Sequence, residues 1–210
     1  MEALMPKATF FNLPSEKREL IISAATQVFS AERYNAASIN QICRKAGIAK
    51  GSFYQYFDNK LDLYVYIMKS AIQAKVRFFS DAVDEFNNLS LSEQFKLLFV
   101  KGAEFAKAQP LYAALGEQFL IENDEAAKAA VIKEGDMQAQ SLLITMIQNA
   151  KAKGEIDNGV DELALSILLQ SVSDAVSKLG NMGSESSAED INSLVDSLIS
   201  IVYNGIRKRD

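Results

Sequence analysis

The 210-residue chain contains no histidine and a single cysteine, Cys43. Without histidine there is no imidazole general base, no Ser-His-Asp or Cys-His nucleophile system and no His-based metal site. One cysteine excludes an intrachain disulfide, a Cys-x-x-Cys redox pair and a cysteine-cluster zinc or iron–sulfur site. A reduced, cytoplasmic compartment fits that usage best. No run approaches the ~18 apolar residues that mark a membrane span, and Met1–Leu13 lacks the apolar core of a secretory signal. Neither a nucleophile elbow nor a glycine-rich phosphate loop is present. No catalytic residue, metal or cofactor is therefore expected, and the chain is not expected to be an enzyme.

What remains is an ordinary globular composition, 49% hydrophobic and 23% charged. The net charge of −5 is unevenly spread. Residues 1–60 carry 8 Lys/Arg against 5 Asp/Glu, whereas residues 61–210 carry 14 against 22. A mildly basic head on an acidic body is an asymmetry that suits nucleic acid. Alternating strand patterns are absent, and segments of 3.6-residue period succeed one another along the chain. The pattern predicts helices at 15–32, 38–46, 49–56, 60–86, 92–108, 111–121, 124–153, 161–179 and 188–209. An all-α fold of about nine helices follows.

In the first helix Leu20, Ile21, Ala24, Ala25, Val28 and Phe29 form one apolar stripe. Ser38 followed three residues later by Gln41 is a capping box, which starts the second helix. There Ile39, Ile42, Cys43 and Ala46 make a buried face, with Cys43 a small core residue. Asn40, Gln41, Arg44 and Lys45 take the open face. Gly47 ends the helix in the left-handed position that glycine favours. The two short helices on either side of Gly47-Ile48 form a helix-turn-helix. On the second, Ala49, Phe53 and Phe57 fall on the packing side. Lys50, Gly51, Tyr54 and Gln55 fall on the other, a mixture of cation, bare backbone, phenol and amide suited to phosphates and base edges. Gly51 allows the backbone to approach DNA closely.

The run Ser38-Ile39-Asn40-Gln41-Ile42 through Ala46-Gly47-Ile48-Ala49-Lys50-Gly51-Ser52-Phe53-Tyr54-Gln55-Tyr56-Phe57-Asp58-Asn59-Lys60-Leu61-Asp62-Leu63 resembles the DNA-binding signature of TetR-type transcriptional regulators. Ile22, Ala24, Ala25, Phe29 and Tyr34 match its first helix. The resemblance covers about residues 15–65; beyond it the likeness lies in helicity and length. It implies an N-terminal arm at 1–14, a three-helix DNA-binding domain at 15–62 with its motif at 38–57, and a helical regulatory and dimerisation domain at 63–210. It further implies that Ser38 and Tyr54 bind phosphate or sugar and that Asn40, Lys50, Ser52 and Gln55 face base edges or phosphates. Lys60 would hold a backbone phosphate, and Tyr56 matches a backbone-contacting position although its helical phase puts it near the buried side.

The function that the resemblance implies is a homodimeric, sequence-specific repressor, released from operator DNA by a small apolar or amphipathic ligand. Phe99, Glu104, Phe105, Tyr112, Phe119, Met137, Gln140 and Met146 on the central helices are candidate linings for its pocket. Two apolar stripes, Leu165, Leu169, Val172 and Val176 on one helix and Leu194, Leu198 and Val202 on the next, are the candidate dimer interface. Small Ser166, Ser173, Ser197 and Ser200 would let those helices approach closely. A helical carrier that had lost DNA binding would need an eroded outer face at the second short helix; there Lys50, Gly51, Tyr54 and Lys60 are intact.

Overall fold

The structure is a computed structural model that describes the backbone of residues 6–80, 86, 88–181 and 188–206, and the side chains of 6–79, 86, 88–133, 143–172 and 193–206. Ten helices lie among the described residues and no β-strand does. They are α1 (Ala8–Phe11), α2 (Ser15–Ala31), α3 (Ile39–Ala46), α4 (Lys50–Tyr56), α5 (Lys60–Ser80), α6 (Leu91–Ala108), α7 (Pro110–Leu120), α8 (Glu125–Ala152), α9 (Glu162–Asn181) and α10 (Ala188–Ile206). The short α1 falls where the sequence pattern predicts an arm without helix. The basic end Arg207, Lys208 and Arg209 lies outside the described residues.

The chain divides into two compact units, 1–77 with 106–137, and 78–105 with 138–210. In the first, α2 packs against both α3 and α7. Ile21, Ala24, Ala25, Val28 and Phe29 of α2 share a core with Ile42 and Cys43 of α3, Phe53 of α4, Leu63, Tyr64 and Ile67 of α5, Leu115 of α7, and Ala127 and Val131 of α8. Local signals set where the helices start. Pro110 is tolerated in the first turn of α7 because its missing N–H has no helical partner there. The Asp124 carboxylate accepts from the Ala127 amide at 2.8 Å and so caps α8.

The second unit has its own core of Leu91, Phe95, Met146, Ile147, Ala150, Ile156, Leu165 and Leu169. A reciprocal cap opens α6: the Ser90 amide donates to Glu93 at 2.8 Å and the Glu93 amide to the Ser90 hydroxyl at 3.4 Å. The Ser90 hydroxyl also donates to the Glu93 carboxylate at 2.6 Å, and this bond, with that from the Ser90 amide, holds the Glu93 carboxyl below its usual range. Gly154, at φ 73°, lets the chain leave α8, with the Glu155 amide donating back to Ala150 at 2.9 Å.

The apolar stripes of α9 and α10, to which Leu168 and Ile201 also belong by their spacing, are part buried and part exposed in the structure. Leu165 and Leu169 are buried in the unit's own core. Val172, Leu198 and Val202 line an apolar groove with Leu91, Phe95 and Tyr203. Among the described side chains of these helices, the large apolar ones left in solvent are Leu163, Ile167 and Leu168 on α9, and Leu194 and Ile201 on α10. The cause is that α9 is apolar on two sides, and the side bearing Leu165 and Leu169 meets α6 and α8. Val176 and Ser173 lie outside the described side chains. Ser166 is buried and donates to the Leu163 carbonyl at 2.8 Å, a bond within its own helix.

Candidate nucleic-acid interface

Ser38 starts α3 through the full reciprocal cap: its hydroxyl accepts from the Gln41 amide at 3.2 Å, and its amide donates to Gln41 Oε1 at 2.8 Å. Gln41 Nε2 donates onward to Glu32 at 3.0 Å, which ties the end of α2 to the start of α3. Gly47 closes α3 at φ 66°, with the Ile48 amide donating to the Cys43 carbonyl at 3.0 Å. The chain then turns directly into α4. Burial pushes the Cys43 thiol up, against the pull of Lys50.

A helix of seven residues is far below the ~12–15 needed for independent stability. Packing holds it instead. Phe53 and Phe57 are fully buried, their rings 5.4 Å apart. That fixes which face is left outside. Lys50, Gly51, Tyr54 and Gln55 are exposed and Ser52 half-buried. Tyr54 is 45% exposed, with its ring edge-on to Phe53 at 5.2 Å. Nothing stands over Gly51 within 4 Å, so a phosphate or sugar could approach its backbone. On α3, Asn40, Arg44 and Lys45 are exposed beside this face. Arg44 and Lys45 join the surface as cations that the sequence pattern puts on the open side of α3 without assigning them a contact.

Two expected contacts are redirected. Tyr56 is 6% exposed, and its ring packs 6.3 Å from that of Phe10, so its side chain serves the core. Lys60 turns inward: its ammonium donates to the carbonyls of Tyr34 at 2.5 Å and Ala37 at 2.8 Å and sits 4.1 Å from the centre of the Tyr34 ring. Burial pulls that ammonium below the usual lysine range, against the opposing pull of Asp124 and Glu122. The cation that the sequence pattern offers to a phosphate thus staples the start of α5 to the corner before α3. Lys60→Met is therefore expected to lower stability by about 1–2 kcal/mol, the cost of stranding two partly buried acceptors. The salt dependence of DNA binding should stay as in the parent. A salt slope lower by ~0.9 would instead mark a lost phosphate contact.

That corner has a second tie, invisible in the sequence. Glu122, 5% exposed, accepts from the Tyr34 amide at 2.7 Å, while its other oxygen accepts from the Asn123 and Asp124 amides at 2.9 and 2.8 Å. The turn between α7 and α8 is thereby bonded to the loop that leads into α3.

The residues proposed for a pocket are divided between the two units. Glu104 is exposed and paired with Lys101 at 2.8 Å, so it is not a buried polar group. Phe105 is buried with its ring 5.6 Å from that of Phe78, and Met146 belongs to the second core. Phe99 lines the apolar groove of the second unit. Tyr112 and Phe119 pack on the first core. Met137 and Gln140 lie outside the described side chains. Among the described residues no group of three or more Cys, Asp and Glu is placed to hold a metal ion, and no helix is long and apolar enough to cross a membrane.

Residues 21–67 match the family described as bacterial regulatory proteins, tetR family. The chain is 38% identical over 71 residues to the HTH-type transcriptional regulator HbdR of Aromatoleum sp. (strain CIB), a match covering 34% of this chain and about a third, 31%, of that protein. It is 26% identical over 162 residues to the HTH-type transcriptional repressor BepR of Brucella suis biovar 1, covering 75% of this chain and 78% of that one. Its fold matches the transcriptional regulator FadR of Bacillus subtilis, solved in complex with stearoyl-CoA, at a TM-score of 0.72 and 21% identity, over 90% of this chain and 99% of that one.

Proposed function

We propose that this chain, whose residues 21–67 match the tetR family, acts as a homodimeric, sequence-specific transcriptional repressor whose hold on operator DNA is released by a small apolar or amphipathic ligand. The observation that carries the reading is the two-sidedness of α4. Phe53, Tyr56 and Phe57 are buried, and that leaves Lys50, Gly51, Tyr54 and Gln55 as a rigid outer face of the size that a major groove admits. Similarity to BepR supports repression, and similarity of fold to FadR supports an amphipathic ligand.

Dimerisation is supported by Ile167 at 56% and Ile201 at 70% exposure, with Leu163, Leu168 and Leu194 also in solvent. Such a concentration of large apolar side chains on two helices is what a partner copy would cover. Ligand control is supported by the Glu122 tie. Any rearrangement of α7 and α8 that moved Glu122 would reach the loop before α3, and a ligand favouring that arrangement would shift the population away from the DNA-binding form.

Selection of bound duplexes from a random-sequence pool tests the reading. Enriched sequences should contain two inverted half-sites whose centres lie ~10–10.5 base pairs apart or a multiple of that, matching two recognition helices related by a two-fold axis. A pool that shows no enrichment would overturn it.

A further inference from the structure

Every helix end leaves four backbone carbonyls without a helical partner. α3 resolves this locally through Gly47. α4 has no such device: Phe57, which follows it, is extended at φ −134°, and within its own segment only the Phe53 carbonyl is served, by the Phe57 amide at 2.9 Å. The other three are answered from the far N-terminal segment. Lys7 Nζ donates to the Tyr54 carbonyl at 2.9 Å, the Thr9 hydroxyl donates to the Gln55 carbonyl, and the Lys7 amide donates to the Tyr56 carbonyl at 2.8 Å. The Lys7 ammonium also pairs with Asp58 at 2.6 Å, placing a cation at the negative end of the helix. Phe10, fully buried, anchors the segment, its ring 5.0 Å from that of Phe57 and 5.6 Å from that of Tyr66.

Resting on the DNA-binding reading above, we propose that residues 7–10 form a cap in trans for α4 that holds its outer face in the pose that reads DNA. Lys7 and Thr9 are positioning residues, separate from the groups that meet the bases. The segment lies outside residues 21–67, so the family match does not carry this device. Its physical role is specific. A seven-residue helix frays from the end that lacks partners, and Tyr54 and Gln55 sit in that last turn. Fraying would blur Gln55, read as facing a base edge, and Tyr54, read as holding phosphate or sugar, while leaving the charge of the surface almost unchanged.

The test uses the full chain, the duplex that the parent selects from a random pool, and a random duplex of equal length. Thr9→Val removes the hydroxyl at nearly constant shape. It should weaken binding to the selected duplex about three- to tenfold, the value of one hydrogen bond, with a smaller effect on random DNA. Thr9→Ser should restore parental binding. In the free protein, amide exchange at Gln55, Tyr56 and Phe57 should accelerate in Thr9→Val, with overall melting little changed. Lys7→Met should reduce discrimination with the salt slope unaltered, because its ammonium is spent on Tyr54 and Asp58. A salt slope lower by ~0.9 in Lys7→Met would mean that Lys7 grips a phosphate directly and would overturn the cap. Parental exchange and parental discrimination in both variants would overturn it as well. A parent that selects no sequence would instead defeat the DNA-binding reading, an outcome distinguishable from failure of the cap by the exchange measurement.

Discussion

Changing Ile167 and Ile201 together to Glu is expected to leave the protein folded, monomeric and nearly unable to hold its selected duplex. Both side chains are more than half exposed in the single chain, so new charges there cost the fold little. In a two-fold dimer they would be forced together and buried, where unpaired carboxylates are costly. A monomer must bind with one recognition helix in place of two linked ones. The loss of the second, effectively intramolecular contact should weaken binding by roughly 10²–10⁴-fold. Light scattering and a gel shift read the two effects on one sample. Leu165→Glu is the contrasting variant: it should unfold the second unit, because Leu165 lies in that unit's core. A double variant that stays dimeric would move the interface off this face.

Phe53→Ala should be the most damaging single truncation near the DNA surface. Phe53 is fully buried against Phe57 and belongs to the core that unites α2, α3, α5 and α7. Removing a buried aromatic ring costs about 3–5 kcal/mol, the sum of lost transfer energy and the cavity left behind. Because α4 has little stability of its own, that loss should fall on the helix that carries Lys50, Tyr54 and Gln55. Urea unfolding followed by tyrosine fluorescence measures it. A loss below about 1 kcal/mol would mean that α4 is held by something other than this packing.

Much of this arrangement is legible in the residues themselves. The Ser38–Gln41 capping box, Gly47 and the apolar spacing of α2 and α3 are local signals, and each has its geometric counterpart in the structure, except that Leu20 of the α2 stripe is 55% exposed. The outer face of α4 follows from helical phase, and Lys50, Gly51, Tyr54 and Gln55 are all exposed there, but Ala49, which phase puts on the packing side, is exposed as well. What escaped is long-range. No periodicity links Lys7 and Thr9 to carbonyls 46 and 47 residues away. The absence of a glycine after α4 was the available hint that its end needs an outside donor. Glu122 reads as one charge in a polar turn, yet it is buried under three amides. Lys60 reads as an exposed cation at a helix start, yet the carbonyls of Tyr34 and Ala37 claim it. On α9 the period reveals apolar character but cannot decide which of two apolar sides meets the core.

The central claim is that the outer face of α4 reads DNA, and it is tested most directly by Gln55→Ala and Tyr54→Phe against the selected and the random duplex across a range of salt. Gln55→Ala should relax discrimination at one base pair of each half-site by roughly 1–3 kcal/mol, the worth of a bidentate base contact, with the salt slope unchanged. Tyr54→Phe removes only a hydroxyl from a half-exposed ring and should weaken binding without lowering the melting temperature. Both variants binding the two duplexes as the parent does, at every salt concentration, would contradict the claim and place the reading surface elsewhere on the molecule.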